Sequence, residues 1–139
     1  MIKTTLMAAA TAAALSGCAA NSVCEDYQNM LAVETRVQNR WQDLIENKHQ
    51  SVYTYFVGSY KAMVSEQDYL KTVNPRIQWK SVDITRTRCS QDTCDVHVTA
   101  KYHMPPQFGL PQGVDASSMI VEKWLRKDGE WWFIPPLKK

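Results

Sequence analysis

The sequence predicts an α+β domain in which N-terminal helices pack on a curved, mainly antiparallel sheet. Two observations support this prediction. In the first half of the chain, apolar residues recur three and four positions apart, which is the spacing of one face of a helix. In the second half, apolar and polar residues alternate in short runs separated by turn signals, which is typical of strands joined by hairpins.

The longest predicted helix begins near Ser22 and ends near Ile45. Ser22 and Glu25 have the spacing of a capping box, in which the two side chains satisfy the first free backbone amides of a helix. The apolar face of this helix contains Met30, Val33, Val37, Trp41, Leu44 and Ile45. A polar break over residues 47–50 should follow this helix.

Two shorter helical segments are predicted after the break. The first covers residues 52–56, and we expect Gly58 to end it. The second covers residues 66–73, where Ser65 and Asp68 repeat the capping signature and Asn74-Pro75 stops the helix.

Four strands are predicted over residues 77–88, 94–104, 117–126 and 130–134. The second strand has the cleanest alternation, and its apolar face contains Cys94, Val96, Val98, Ala100, Tyr102 and Met104. Asp128-Gly129 is a strong signal for a two-residue hairpin turn between the last two strands.

The N-terminal segment resembles the signal peptide of a bacterial lipoprotein. Lys3 provides a positive start, and residues 6–15 form an apolar run too short to span a bilayer, which takes roughly 20 residues. Leu15-Ser16-Gly17-Cys18 matches a lipobox, where the peptidase cuts after lipid is attached to the cysteine thiol. The alternative is an ordinary secretory signal with a chance cysteine.

This resemblance implies a signal peptide over residues 1–17, a lipidated tether over residues 18–21 and one domain over residues 22–139. Cys18 is the predicted lipid attachment site. Because Ala19 rather than Asp follows it, the resemblance favours the outer membrane, with the protein facing the periplasm. Exposure at the cell surface stays open.

The cysteines predict one disulfide. Cys89 and Cys94 flank a hairpin loop, so paired strands would bring them within bonding distance, and oxidation is favoured outside the cytoplasm. Cys24 is left without an assigned state. A metal site using His97 and His103 is disfavoured because strand alternation points these histidines away from Cys94.

Several features of the mature chain resemble the NTF2-like (cystatin-like α+β cone) superfamily. They are Arg40-Trp41, Tyr53, Tyr55, Tyr60, the hairpin 89–96, Trp124 and the run from Asp128 to Trp132. The resemblance implies a cone of helices and sheet around a pocket, often with homodimerisation through the sheet. Members include enzymes, transport factors and binding domains, so the fold does not determine the function.

Aromatic residues are the candidates for lining such a pocket, although they could equally form a plain core. They are Trp41, Tyr55, Tyr60, Trp79, Trp124 and Trp132. Asp83, His97 and His103 are the residues to test for catalysis, but each falls on a polar strand face. No phosphate loop, HExxH motif or nucleophile elbow is present.

The sequence therefore predicts a non-catalytic, lipid-anchored binding or accessory protein of the cell envelope. Its expected partners are the membrane, through the anchor, and either an envelope protein or a small apolar ligand. A net charge of +2 gives no reason to expect nucleic acid, and no cofactor or metal is predicted. The alternative is an isomerase- or dehydratase-like enzyme, which would need a carboxylate or histidine buried at the base of the cone.

Overall fold

A computed structural model describes residues 18–107 and 109–137, with side chains from residue 22 onward. Its helices are α1 (Cys18–Ile45), α2 (His49–Thr54), α3 (Gly58–Met63) and α4 (Glu66–Thr72). Its strands are β1 (Gln78–Ser90), β2 (Thr93–Met104), β3 (Val114–Lys127) and β4 (Glu130–Ile134). The α+β architecture that the resemblance implied, with helices followed by an antiparallel sheet, is confirmed. The predicted signal peptide and the side chain of Cys18 lie outside the described residues.

Helix α1 packs its apolar face against the sheet and forms one side of the core. Val33, Val37 and Trp41 on this face are buried, as the helical spacing predicted. The helix begins at Cys18, so the backbone of residues 18–21 is helical and Ser22 lies inside the helix rather than at its cap. Within the described residues, no helix combines the length and hydropathy that a membrane span requires.

The break between α2 and α3 arises from pairing with the sheet. Gly58 begins α3, so the expectation that it ends a helix was wrong. The amide of Val57 donates to the carbonyl of Phe133 at 2.8 Å, and the amide of Phe133 donates to the carbonyl of Tyr55 at 2.8 Å. These bonds hold residues 55–57 beside β4. In α4, the predicted cap is confirmed, because the hydroxyl of Ser65 accepts from the backbone amide of Asp68.

The four strands form an antiparallel meander in the order β1-β2-β3-β4. The predicted inner face of β2 is confirmed, since Cys94, Val96, Val98 and Ala100 are all at most 2% exposed. At the β3–β4 turn, Asp128 and Gly129 both have positive φ, 54° and 77°. A two-residue hairpin with this geometry favours glycine, because glycine has no side chain to clash there.

The β1–β2 hairpin carries the predicted disulfide. Cys89 and Cys94 lie opposite each other in the strand register, with their Cα atoms 4.1 Å apart, and their sulfur atoms are bonded. Cys24 is a free, exposed thiol on α1.

Replacing Cys89 and Cys94 together by alanine should lower the free energy of unfolding by roughly 2 kcal/mol. The loop is short, so the bond removes only a modest entropy from the unfolded chain. Urea denaturation with and without dithiothreitol measures the difference, and Cys24→Ser is the control. The prediction fails if the reductant destabilises the double variant as much as the wild type.

Candidate functional site

A cavity of about 540 Å³ lies between α1, the segment containing α3 and α4, and the inner face of the sheet. Residues 135–137, which follow β4, form part of its rim. Six of its sixteen lining residues are aromatic, namely Trp41, Phe56, Tyr60, Tyr69, Trp79 and Phe133. Such a concave apolar surface with a few polar groups is typical of a small-molecule site.

The aromatic wall is held by edge-to-face ring contacts. The rings of Trp41 and Trp79 are 5.0 Å apart and nearly perpendicular. Phe56 makes similar contacts with Tyr60 at 5.2 Å and Tyr69 at 4.9 Å. Such geometries are the favoured ones for aromatic pairs, so they orient the rings that face the cavity.

A carboxylate lies at the base of the cavity. Glu122 is 2% exposed and accepts three hydrogen bonds from side chains. Oε1 accepts from Nη1 of Arg40 at 2.6 Å and from the indole of Trp41 at 2.8 Å, and Oε2 accepts from the indole of Trp124 at 3.0 Å. A buried charge requires such pairing, because removal from water is otherwise very unfavourable.

Arg40 is the partner charge and is itself 8% exposed. Its guanidinium lies 3.8 Å from the centre of the Phe133 ring, a cation–π contact that adds to the ion pair with Glu122. Its Nε atom is buried and has no hydrogen-bond partner in the described part of the chain. The base of the cavity is therefore polar but has no net charge.

Tyrosine hydroxyls supply further polar groups. The hydroxyl of Tyr53 donates to the carbonyl of Val64 at 2.7 Å, whereas those of Tyr60 and Tyr69 have no hydrogen bond among the described residues. Burial raises the pKa of both Tyr60 and Tyr69, and the positive charge of Arg40 partly opposes the rise at Tyr69. Both hydroxyls therefore keep their protons at neutral pH and can donate to a ligand.

Three of the six predicted pocket residues line this cavity, namely Trp41, Tyr60 and Trp79. The other three do not line it. Trp124 is fully buried beneath the cavity, where its indole binds Glu122. Tyr55 and Trp132 instead flank the guanidinium of Arg36, which lies 4.6 Å and 5.3 Å from their ring centres. Trp132 alternates in β4 with the buried Trp131 and Phe133, so it faces the other way.

The three candidate catalytic residues named from the sequence do not line the cavity. Asp83 is exposed, and His97 alternates with the buried Val96 and Val98 on β2. His103 contacts the exposed Asp115, with 2.6 Å between Nδ1 and Oδ1.

Arg40 and Glu122 are the site residues that sequence reasoning missed. A signal existed for each of them. Arg40 falls within the apolar stripe of α1, between Val37 and Trp41, and Glu122 shares strand parity with Ile120 and Trp124. A charged residue on an apolar face suggests a buried pair.

No protein-family model and no curated protein matches this sequence. Among solved structures, the chain is similar to a proposed NTF2-like transpeptidase from Campylobacter jejuni. The two are 16% identical and superpose with a TM-score of 0.45, over 75% of this chain and 98% of the other. Similarity at this level does not define a shared activity.

Proposed function

We propose that this chain is a non-catalytic binding domain of the cell envelope whose cavity holds a small, mainly apolar ligand. The observation that carries the proposal is the open, aromatic cavity of about 540 Å³. Its volume falls within the range of small-molecule sites, and its lining includes a few polar groups such as Tyr60 and Tyr69. An open cavity favours a ligand over a protein partner, for which we expected a filled one.

The hydrogen bonding of Glu122 supports a structural role for this carboxylate. A general base needs a free lone pair within reach of the proton that it removes. Glu122 already accepts three hydrogen bonds at about four lone-pair sites, from Arg40, Trp41 and Trp124, and its side chain is 1% exposed. We therefore propose that Glu122 holds the cavity together rather than reacting.

An isomerase- or dehydratase-like enzyme is the second candidate, and the carboxylate beside the cavity is the observation that favours it. Such an enzyme would convert a bound ligand, and Glu122→Gln would abolish turnover while ligand binding persisted. The binding proposal instead expects the wild type to release its ligand unchanged.

We also propose a lipid anchor on Cys18 and a periplasmic location at the outer membrane. The lipobox supports the anchor, and the Cys89–Cys94 disulfide is of the kind that persists outside the cytoplasm. Trp41 follows Cys18 by 23 residues on the same helix, which is about 35 Å along its axis. The acylated end and the cavity would then lie at opposite ends of α1.

Mass spectrometry of the protein purified from its native membrane tests the anchor. The proposal expects an N-terminal diacyl or triacyl Cys18. A mature chain that carries no lipid or starts at another residue would overturn the lipoprotein assignment, but it would leave the cavity proposal standing.

Homodimerisation through the outer face of the sheet stays a prediction. Met119 and Val121 on this face are 89% and 52% exposed, and the charged pair of Lys123 and Asp95 lies beside them. Analytical ultracentrifugation of the wild type and Met119→Asp would show whether this face associates.

Filling the cavity tests the ligand proposal. Ile120 lines the cavity, so Ile120→Trp should place an indole in the ligand volume and abolish binding of the neutral fluorescent probe N-phenyl-1-naphthylamine. Met119→Trp is the matched control, because the neighbouring side chain points to the outer face and is 89% exposed. If the two variants bind the probe equally, the cavity is not the ligand site.

A further inference from the structure

The wall of the cavity offers hydrogen-bond donors that the protein itself does not use. Tyr60 and Tyr69 line the cavity, and their hydroxyls have no partner among the described residues. Arg40 also lines the cavity, and its buried Nε is unpaired in the described part of the chain. Three donors from α1, α3 and α4 therefore surround one cavity.

The carboxylate acceptors of the same wall are already occupied. Glu122 accepts from Arg40 and two indoles at the base. At the rim, Oδ1 of Asp68 accepts from Lys71 at 2.7 Å, and Oδ2 accepts from the hydroxyl of Ser65 at 2.9 Å. A ligand that offered only donors would therefore find carboxylates that are already largely engaged, whereas a ligand with an acceptor oxygen would find free donors.

The charges around the cavity are balanced in pairs. Arg40 is neutralised by Glu122, and Asp68 at the rim is paired with Lys71. Among the described residues that line the cavity, a ligand carboxylate or ammonium would find no unpaired opposite charge to offset its lost hydration, which is unfavourable. A neutral polar group loses much less on burial and can recover it through hydrogen bonds.

We infer that the cavity selects an uncharged ligand that has an apolar or aromatic body and one carbonyl oxygen, as in a ketone, ester or amide. The hydroxyls of Tyr60 and Tyr69 bind this oxygen, and the aromatic wall packs against the body. The inference rests on the proposed ligand-binding function and names the chemical class of the ligand.

Three naphthalene probes distinguish a neutral ligand with a carbonyl from a neutral ligand without one and from an anion. Prodan is neutral and carries a ketone, N-phenyl-1-naphthylamine is neutral and has no carbonyl, and anilinonaphthalene sulfonate is anionic. Fluorescence titration of the wild type should show the tightest binding for Prodan. Tyr60→Phe and Tyr69→Phe keep the ring contacts with Phe56, so they remove the hydroxyl without removing the wall.

Each tyrosine variant should weaken Prodan binding by about fivefold, the loss expected for one hydrogen bond worth about 1 kcal/mol. Binding of N-phenyl-1-naphthylamine should be unchanged. Tyr55→Phe is the control, because Tyr55 lies outside the cavity beside Arg36 and should leave all three probes unaffected.

Two outcomes would overturn the inference while leaving the binding function intact. Tightest binding of the sulfonate would show selection for an anion. An equal loss of Prodan and N-phenyl-1-naphthylamine in the tyrosine variants would show that the hydroxyls act only through packing. Failure of all three probes to bind the wild type would instead reject the proposed function, and the inference with it.

Discussion

Glu122→Ala is expected to lower the free energy of unfolding by about 3–5 kcal/mol, which is the usual effect of removing one partner of a buried ion pair. The substitution leaves the guanidinium of Arg40 buried without a counter-charge, since that residue is 8% exposed. It also removes the acceptor for the indoles of Trp41 and Trp124. Urea denaturation followed by circular dichroism measures the loss.

Glu130→Ala is the matched control, because Glu130 is an exposed carboxylate on the adjoining strand β4. Surface substitutions of this kind change stability by about 0.5 kcal/mol or less. Equal effects of the two alanine variants would mean that the Glu122 network does not stabilise the fold.

A double variant separates the unpaired charge from the lost packing. Arg40→Met with Glu122→Leu removes both charges and keeps similar volume, and such replacements are often tolerated. The double variant should therefore be more stable than Glu122→Ala alone. A double variant that is no more stable than Glu122→Ala would show that the unpaired charge of Arg40 does not account for the loss.

Trp124→Ala is expected to have an effect of similar size, about 3–5 kcal/mol, because it creates a large cavity in the core. Trp124 is 0% exposed, its ring lies 5.5 Å from that of Phe133, and it pairs with Cys94 in the sheet register. It also donates one of the three hydrogen bonds to Glu122. Part of the lost stability therefore comes from the missing hydrogen bond to Glu122.

Trp132→Ala provides the comparison within the same hairpin. Its ring lies between two cations, 5.3 Å from the guanidinium of Arg36 and 5.5 Å from the ammonium of Lys61. Partly exposed cation–π contacts contribute about 0.5–1 kcal/mol each, so the variant should lose much less stability than Trp124→Ala. Thermal and urea denaturation measure the loss of stability in both variants. A larger loss in Trp132→Ala than in Trp124→Ala would contradict this assignment.

Alternation along the strands predicted some of the buried faces but not all of them. Alternation correctly separated the two faces of β2, because one of its faces is almost wholly apolar. In β3 the pattern did not identify the inner face, because both faces carry apolar residues. Met119 and Val121 lie on one face, and Ile120 and Trp124 lie on the other. The alternation therefore did not show that Glu122 lies at the base of the cavity.

The order of helices and strands, the Asp128-Gly129 turn and the disulfide followed from the sequence alone. Each depends on residues close together in the chain or on strict periodicity. The start of α3 at Gly58 did not, because residues 55–57 leave the helical conformation to pair with Phe133 in β4. Local patterns cannot show such a distant partner.

The candidate site was decided only by the tertiary structure. Arg40 and Glu122 are 82 positions apart, so the local pattern could indicate burial of each but not that the two side chains meet. Their burial becomes tolerable only because they meet each other and two indole donors in the same place. The sequence determined which faces could form a core, and packing of α1 on the sheet determined that a charged pair and a cavity would lie within it.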